Sequence, residues 1–164
     1  MRESPGDPDH PHVARVRRAA MALGLDFEIR RFPATTRTAV DAAREIGCAL
    51  GQIIKALVFF ADGEPVLALC SGTDRVDEAK LKAVLGARGV RRANADEARA
   101  ATGFPIGGTP PFAHARPLRV VIDRGLLRYE ILWSGAGLPE AVLRLGSADL
   151  ARASGGEVRD IATN

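Results

Sequence analysis

The feature that most constrains this chain is the run Ile53-Ile54-Lys55-Ala56-Leu57-Val58-Phe59-Phe60, followed by Ala61-Asp62-Gly63-Glu64. Branched and aromatic residues of this kind fit a pleated, half-buried surface, and Asp-Gly supplies the positive φ angles of a hairpin turn. With Val66–Cys70 beyond the turn, the segment predicts an antiparallel hairpin. A single charge, Lys55, interrupts the apolar run. Strand alternation places it on the face shared by Ile53, Leu57 and Phe59. An unpaired ammonium on a core face is costly. Lys55 therefore either meets an anion, as an anchor or electrophile, or lies on an edge strand and snorkels to water.

The other elements are short. Val13, Val16, Ala20 and Leu23 share one helical face across His12–Leu23, which Gly24 ends. Phe27 and Ile29 alternate with polar neighbours as in a half-buried strand. Thr38 with Asp41, and Asn94 with Glu97, have capping-box spacing. They open helices over Thr38–Ile46, closed by Gly47, and from Asn94 to Gly103. The stretch Asp74–Asp77 caps a helix reaching about Leu85, with Gly86 as its stop. Val90–Arg92, Leu118–Ile122, Glu130–Trp133 and Ala141–Leu145 read as strands, and Ser147–Ala153 as a last helix. Interleaved strands and helices, with no repeat or linker, predict one mixed α/β domain over residues 11–164 around one curved sheet. The polar residues 1–10 read as a flexible leader.

Composition excludes several classes. A length of 164 residues suits one domain with a real core. No apolar run nears the roughly 18 residues of a membrane-spanning helix. The start, MRESPGDPDHPH, lacks the apolar region of a secretory signal. Cys48 and Cys70 have no C-x-x-C spacing and predict reduced thiols in a cytoplasmic chain. The net charge of +3 permits an anionic partner without requiring one. Of the 23 Lys and Arg residues, only Lys55, Lys80 and Lys82 are lysines. Lys80 and Lys82 fall in the helix after Asp77, on its solvated or partner-facing side. Lys55 alone lies inside an apolar strand.

A second candidate for chemistry is the stretch from Phe104 to Pro117, whose prolines and paired Gly107-Gly108 rule out regular structure. Such a loop either presents bare backbone N–H donors to a carbonyl or oxyanion, or is a rigid connector. Its spacing fits neither a Walker loop nor a dinucleotide fingerprint. His114 is a general base, a ligand-contacting donor or a surface histidine. His10 and His12 lie too near the leader to join it in a metal site. Ser71 and Ser134 lack a nucleophile elbow. Trp133-Ser134-Gly135-Ala136-Gly137 is a second glycine-rich turn, either a pocket wall or a tight connection. Arg15, Arg17, Arg18, Arg30, Arg31, Arg91 and Arg92 are either contacts to a nucleic-acid backbone or ordinary solvated charges.

The order Thr38-Ala39, Ala42-Ala43, Gly47, Gln52 to Val58, then Asp77, Lys80-Leu81, then Gly103-Phe104 and Gly107 to Pro111 resembles the YbaK family. That family includes the YbaK-type aminoacyl-tRNA deacylases and the editing insertion of bacterial prolyl-tRNA synthetases. The likeness runs from about Val13 to Ala162. It implies a curved, partly barrel-like mixed sheet flanked by short helices. It also implies hydrolysis, in trans, of the ester joining a wrong amino acid to tRNA, commonly tRNA for proline. By the same likeness Lys55 is the principal site residue, with Gly107 and Gly108 catalytic, and no metal or other cofactor is used. Thr109, Pro110, Pro111, His114 and Ser134 are its substrate-binding residues, and Ile53, Leu57 and Ile106 are candidate pocket walls. The implied partner is the 3′ end of misacylated tRNA, with prolyl-tRNA synthetase or an elongation factor as further candidates, and neither membrane nor DNA. The alternative is a non-catalytic tRNA- or synthetase-binding module on the same fold, and a weaker third reading is a hydrolase of free esters.

Overall fold

The computed structural model describes residues 9–163. Residues 1–8 of the expected leader lie outside them. His10 caps the first helix by accepting from the His12 N–H, and Asp9 pairs with Arg17. Helix α1, Pro11–Ala22, buries Val13, Val16 and Ala20, as the apolar spacing predicts. Strand β1 is Glu28–Arg31. Helix α2, Ala39–Ile46, opens on the Thr38–Asp41 capping box and closes on Gly47 at φ 82°. One turn of 3₁₀ helix, Leu50–Gln52, leads into the hairpin of β2, Ile54–Ala61, and β3, Glu64–Ser71. At its tip Asp62 and Gly63 both take positive φ, 49° and 85°, as a tight hairpin turn requires.

Strand β4 is Arg75–Val76, α3 Glu78–Leu85, β5 Val90–Arg92 and α4 Ala95–Thr102. After the proline-rich loop come β6, Arg119–Asp123, a 3₁₀ segment, Arg124–Arg128, and β7, Ile131–Gly135. Strand β8 is Ala141–Gly146, α5 Ser147–Ser154, β9 Glu157–Arg159 and β10 Ala162–Thr163.

The strands divide into a five-stranded sheet β5-β2-β3-β6-β9, a three-stranded sheet β1-β8-β7 and the pair β10-β4. The expected curved sheet is thus mixed but not closed. A single parallel bridge, Ile53 to Trp133, links its two larger parts. One face of β2 and β3 buries Ile54, Val58, Leu67 and Leu69 against Leu132 and Leu145 of the smaller sheet and Leu150 of α5. The opposite face packs Phe59, Val66 and Ala68 under Leu81 of α3 and Ile161. Ile53 precedes β2 and packs instead with Trp133, Val142 and the Ala42–Ala43 pair of α2. Its backbone is extended, at φ −85° and ψ 126°, directly before β2. The strands β4, β9 and β10 were not expected. Asp74–Asp77 holds β4 as well as the Asp77 cap of α3.

Candidate functional site

Strand β5 reaches β2 only from Phe59 to Ala61. The first half of β2 thus has a partner, β3, on one edge only. Gly72 N–H donates to Ile53 C=O at 2.7 Å. In an antiparallel ladder this makes Lys55–Cys70 and Leu57–Ala68 the hydrogen-bonded pairs. The N–H and C=O of Ala56 therefore face the unpaired edge.

A cavity of about 170 Å³ lies there. Ile53 to Leu57 form one wall, and Ser134, Gly135 and Val142 of the smaller sheet another. The start of α2 contributes Arg37 to Ala39 and Ala42, and the proline-rich loop contributes Ile106, Gly107 and Thr109. The candidate walls Ile53, Leu57 and Ile106 all take part. Among the described residues, Lys55 and Arg37 are the only charged members of the lining, which has no carboxylate, imidazole or thiol from them. A larger depression, about 640 Å³, runs along Asp26–Phe32 and Arg144. It is more open and carries the ion pairs Arg30–Glu28 and Arg144–Asp26.

Lys55 is half-buried, and its Nζ donates to the carbonyl of Asp74. Asp74 is buried and held from both sides: its carboxylate accepts from Thr73 at 3.1 Å and pairs with Arg128 at 3.5 Å. Cys70, opposite Lys55 on β3, also directs its thiol at the Asp74 carbonyl, at 3.9 Å. Burial pushes the Cys70 thiol up to about 11, against the pull of the Lys55 charge. The thiol stays neutral, and the ammonium is not cancelled by a thiolate beside it. Lys55 thus meets a carbonyl rather than an anion.

The glycines of the loop are dictated by backbone approach. A Cβ on Gly108 would lie 2.7–2.8 Å from the backbone of Leu138, and one on Gly135 2.6 Å from the Gly108 carbonyl carbon. Gly108 N–H donates to Pro105 C=O at 3.0 Å, and Gly108 C=O accepts from Gly137 at 2.8 Å. Its amide is therefore engaged within the protein. Gly107, exposed at φ 85°, is the loop glycine that lines the cavity. The expectation of two bare glycine donors reduces to one.

Among the remaining candidates, Thr109 lines the cavity, with its hydroxyl on Pro105 C=O at 3.4 Å. Ser134 does so too, with its hydroxyl on Gly135 C=O at 2.9 Å. Pro110 and Pro111 are buried and do not line the cavity. His114 is also outside the lining, where its Nε2 donates to Pro110 C=O at 2.8 Å. Burial, with the charge of Arg15, pushes its pKa down, against the Pro110 bond. It braces the loop as a neutral imidazole. Several candidate arginines are engaged locally: Arg17 with Asp9, Arg30 with Glu28, and Arg91 with Glu97. Lys80 pairs with Asp160 at 3.2 Å. Arg37 was not among the sequence candidates; its place immediately before a capping box was the available signal.

No group of three or more His, Cys, Asp or Glu among the described residues is arranged to hold a metal ion, and none of their helices is long and apolar enough to cross a membrane.

The profile of the aminoacyl-tRNA editing domain matches residues 33–153. A proline–tRNA ligase of Xanthomonas oryzae pv. oryzae (strain MAFF 311018) is 38% identical over 109 residues, which is 66% of this chain and 19% of the ligase. The chain thus spans about a fifth of that relative's length. YwhH, an uncharacterized protein of Bacillus subtilis (strain 168), is 28% identical over 77% of this chain and 81% of its own. A crystal structure described as a candidate trans-editing enzyme for prolyl tRNA synthetase superposes with a TM-score of 0.90 at 36% identity. It covers 96% of this chain and 100% of that one. With the profile spanning the hairpin, the glycine loop and the walls of the cavity, the chain belongs to the aminoacyl-tRNA editing domain family.

Proposed function

We propose that this chain hydrolyses the ester of misacylated tRNA in trans, with tRNA for proline bearing a small wrong amino acid as the substrate. The observation that carries this reading is the meeting of Lys55, Gly107, Thr109 and Ser134 on one small cavity in a chain of the editing family. An aminoacyl ester is already activated, so a strong protein nucleophile is not needed. A water oxygen bonds to the ester carbonyl carbon, the bond to the ribose oxygen breaks, and a proton passes to that oxygen. Negative charge develops on the carbonyl oxygen, where the Lys55 ammonium and the Gly107 N–H are the donors at hand. The wall around Ala56 and Val142 limits the size of side chain admitted. At about 170 Å³ the space falls below the roughly 300–1,000 Å³ of pockets that enclose drug-sized ligands.

The test is release of amino acid from tRNAs charged with Ala, Cys, Ser and Thr, using folded protein. Turnover of at least one small-residue ester is expected. No turnover on any of them overturns the proposal, and tRNA binding without turnover marks the non-catalytic module instead.

A further inference from the structure

We infer that Arg37 binds the phosphodiester next to the terminal nucleoside of the tRNA, fixing the 3′ end at the cavity mouth. The inference rests on the reading of the cavity as the seat of the aminoacyl group. Arg37 and Lys55 are the two cations of the lining among the described residues, and they differ in engagement. Lys55 is half-buried on the Asp74 carbonyl. Arg37 is exposed, and among the described residues its guanidinium has no carboxylate partner, whereas nearby Arg30, Arg44 and Arg144 each have one.

The backbone that carries Arg37 is fixed. Its N–H donates to Asp41 Oδ2 at 3.2 Å, beside the capping box of α2. Its carbonyl lies 3.7 Å from where a Cβ of Gly107 would stand. The Arg37 backbone is therefore held between the start of α2 and the tip of the glycine loop, and the residue lines the cavity from there. Asp41, four residues on, accepts from the backbone N–H groups of Arg37 and Thr38 and pairs with Arg44 at 3.7 Å.

Size then decides what reaches Arg37. The cavity holds a small acyl group but not a nucleoside as well. With the ester beside Lys55, ribose and base stay at the mouth, and the first anion beyond them is the phosphodiester. A guanidinium matches two of its oxygens at once, which an ammonium does not.

The experiment compares wild type with Arg37→Gln, Arg37→Lys and the control Arg88→Gln. Arg88 is exposed at the opposite end of the hairpin, where its N–H meets Asp62. Binding of uncharged tRNA-Pro transcript is measured against salt concentration, which requires no turnover. For Arg37→Gln the slope of log K on log salt should flatten by about 0.7, the share of one single-strand phosphate. Affinity at low salt should fall about tenfold, as for a lost charge-assisted hydrogen bond. Arg37→Lys should recover part of the loss, and Arg88→Gln should match wild type. In deacylation, Arg37→Gln should raise KM for charged tRNA by a larger factor than KM for a 3′-aminoacyl adenosine, which has no phosphate. An unchanged slope in Arg37→Gln, or an equal loss in Arg88→Gln, overturns the inference. Absence of turnover in wild type with the binding differences intact would instead overturn the proposed hydrolysis alone.

Discussion

From Phe59 to Ala61, strand β2 is hydrogen-bonded on both edges, to β3 and to β5; from Ile54 to Leu57 only β3 pairs with it. The covered half buries Phe59 at 2% exposure under α3. The open half carries Lys55, Ala56 and Leu57 to the cavity. An uncovered strand edge is ordinarily a liability for pairing with other chains. Here the glycine loop and the start of α2 shield that edge, which becomes one wall of a site. The ladder to β3 continues through both halves, so the site is held by a rigid element although one of its edges is free.

That contrast is broken or sharpened by substituting one residue in each half. Lys55→Ala removes the cationic donor nearest the proposed ester. Deacylation should fall on the order of a hundredfold or more, the scale of losing a principal oxyanion donor. The thermal midpoint should barely move, because Lys55 is half-buried and touches a carbonyl rather than the core. Steady-state kinetics with circular dichroism melting separates the two effects, and unchanged turnover would remove Lys55 from the mechanism. Phe59→Ala should do the reverse. Deleting a buried phenyl ring costs about 3–5 kcal/mol, while the rate per folded molecule at low temperature should be retained. Denaturant titration reads the first quantity. If Phe59→Ala abolished turnover with the fold intact, the two halves would not be separable.

Much of this architecture was legible in the sequence because its signals are local. The Asp62-Gly63 turn, the Thr38–Asp41 and Asn94–Glu97 capping boxes and the stops at Gly47, Gly86 and Gly103 all form where residue chemistry places them. Strands β4 and β10 were not legible. Arg75–Val76 and Ala162–Thr163 find each other across about half of the chain, and two-residue strands have no periodicity to read. The site divides in the same way. The charge at Lys55 stood out against its apolar neighbours, and the glycine loop against its prolines. That Gly108 turns its N–H inward to Pro105, or that Arg37 reaches the cavity mouth, depends on how distant loops meet. For Gly108 the sequence holds no local pattern, and for Arg37 only its place immediately before the Thr38–Asp41 capping box.

The smallest expected effect concerns the loop that faces the open half. His114 Nε2–H holds the Pro110 carbonyl at 2.8 Å. Burial and Arg15 lower its pKa below 6.5 despite that bond. The folded protein therefore binds fewer protons at this site than the unfolded chain does. His114's contribution to stability is complete above about pH 6.5 and is lost as pH falls through the lower folded pKa. His12, also lowered by burial and by His10, Arg99 and Arg15, shifts stability in the same direction, so the comparison must be differential. His114→Gln keeps a donor for Pro110 but cannot titrate. Between pH 7.5 and 5.5 its thermal midpoint should fall less than that of wild type, with His12 common to both. Equal falls would mean that His114 does not carry the linkage. A larger acid-induced rise in KM for wild type than for His114→Gln would tie the protonation to the cavity roof, and so to the open half of β2 rather than to the fold at large.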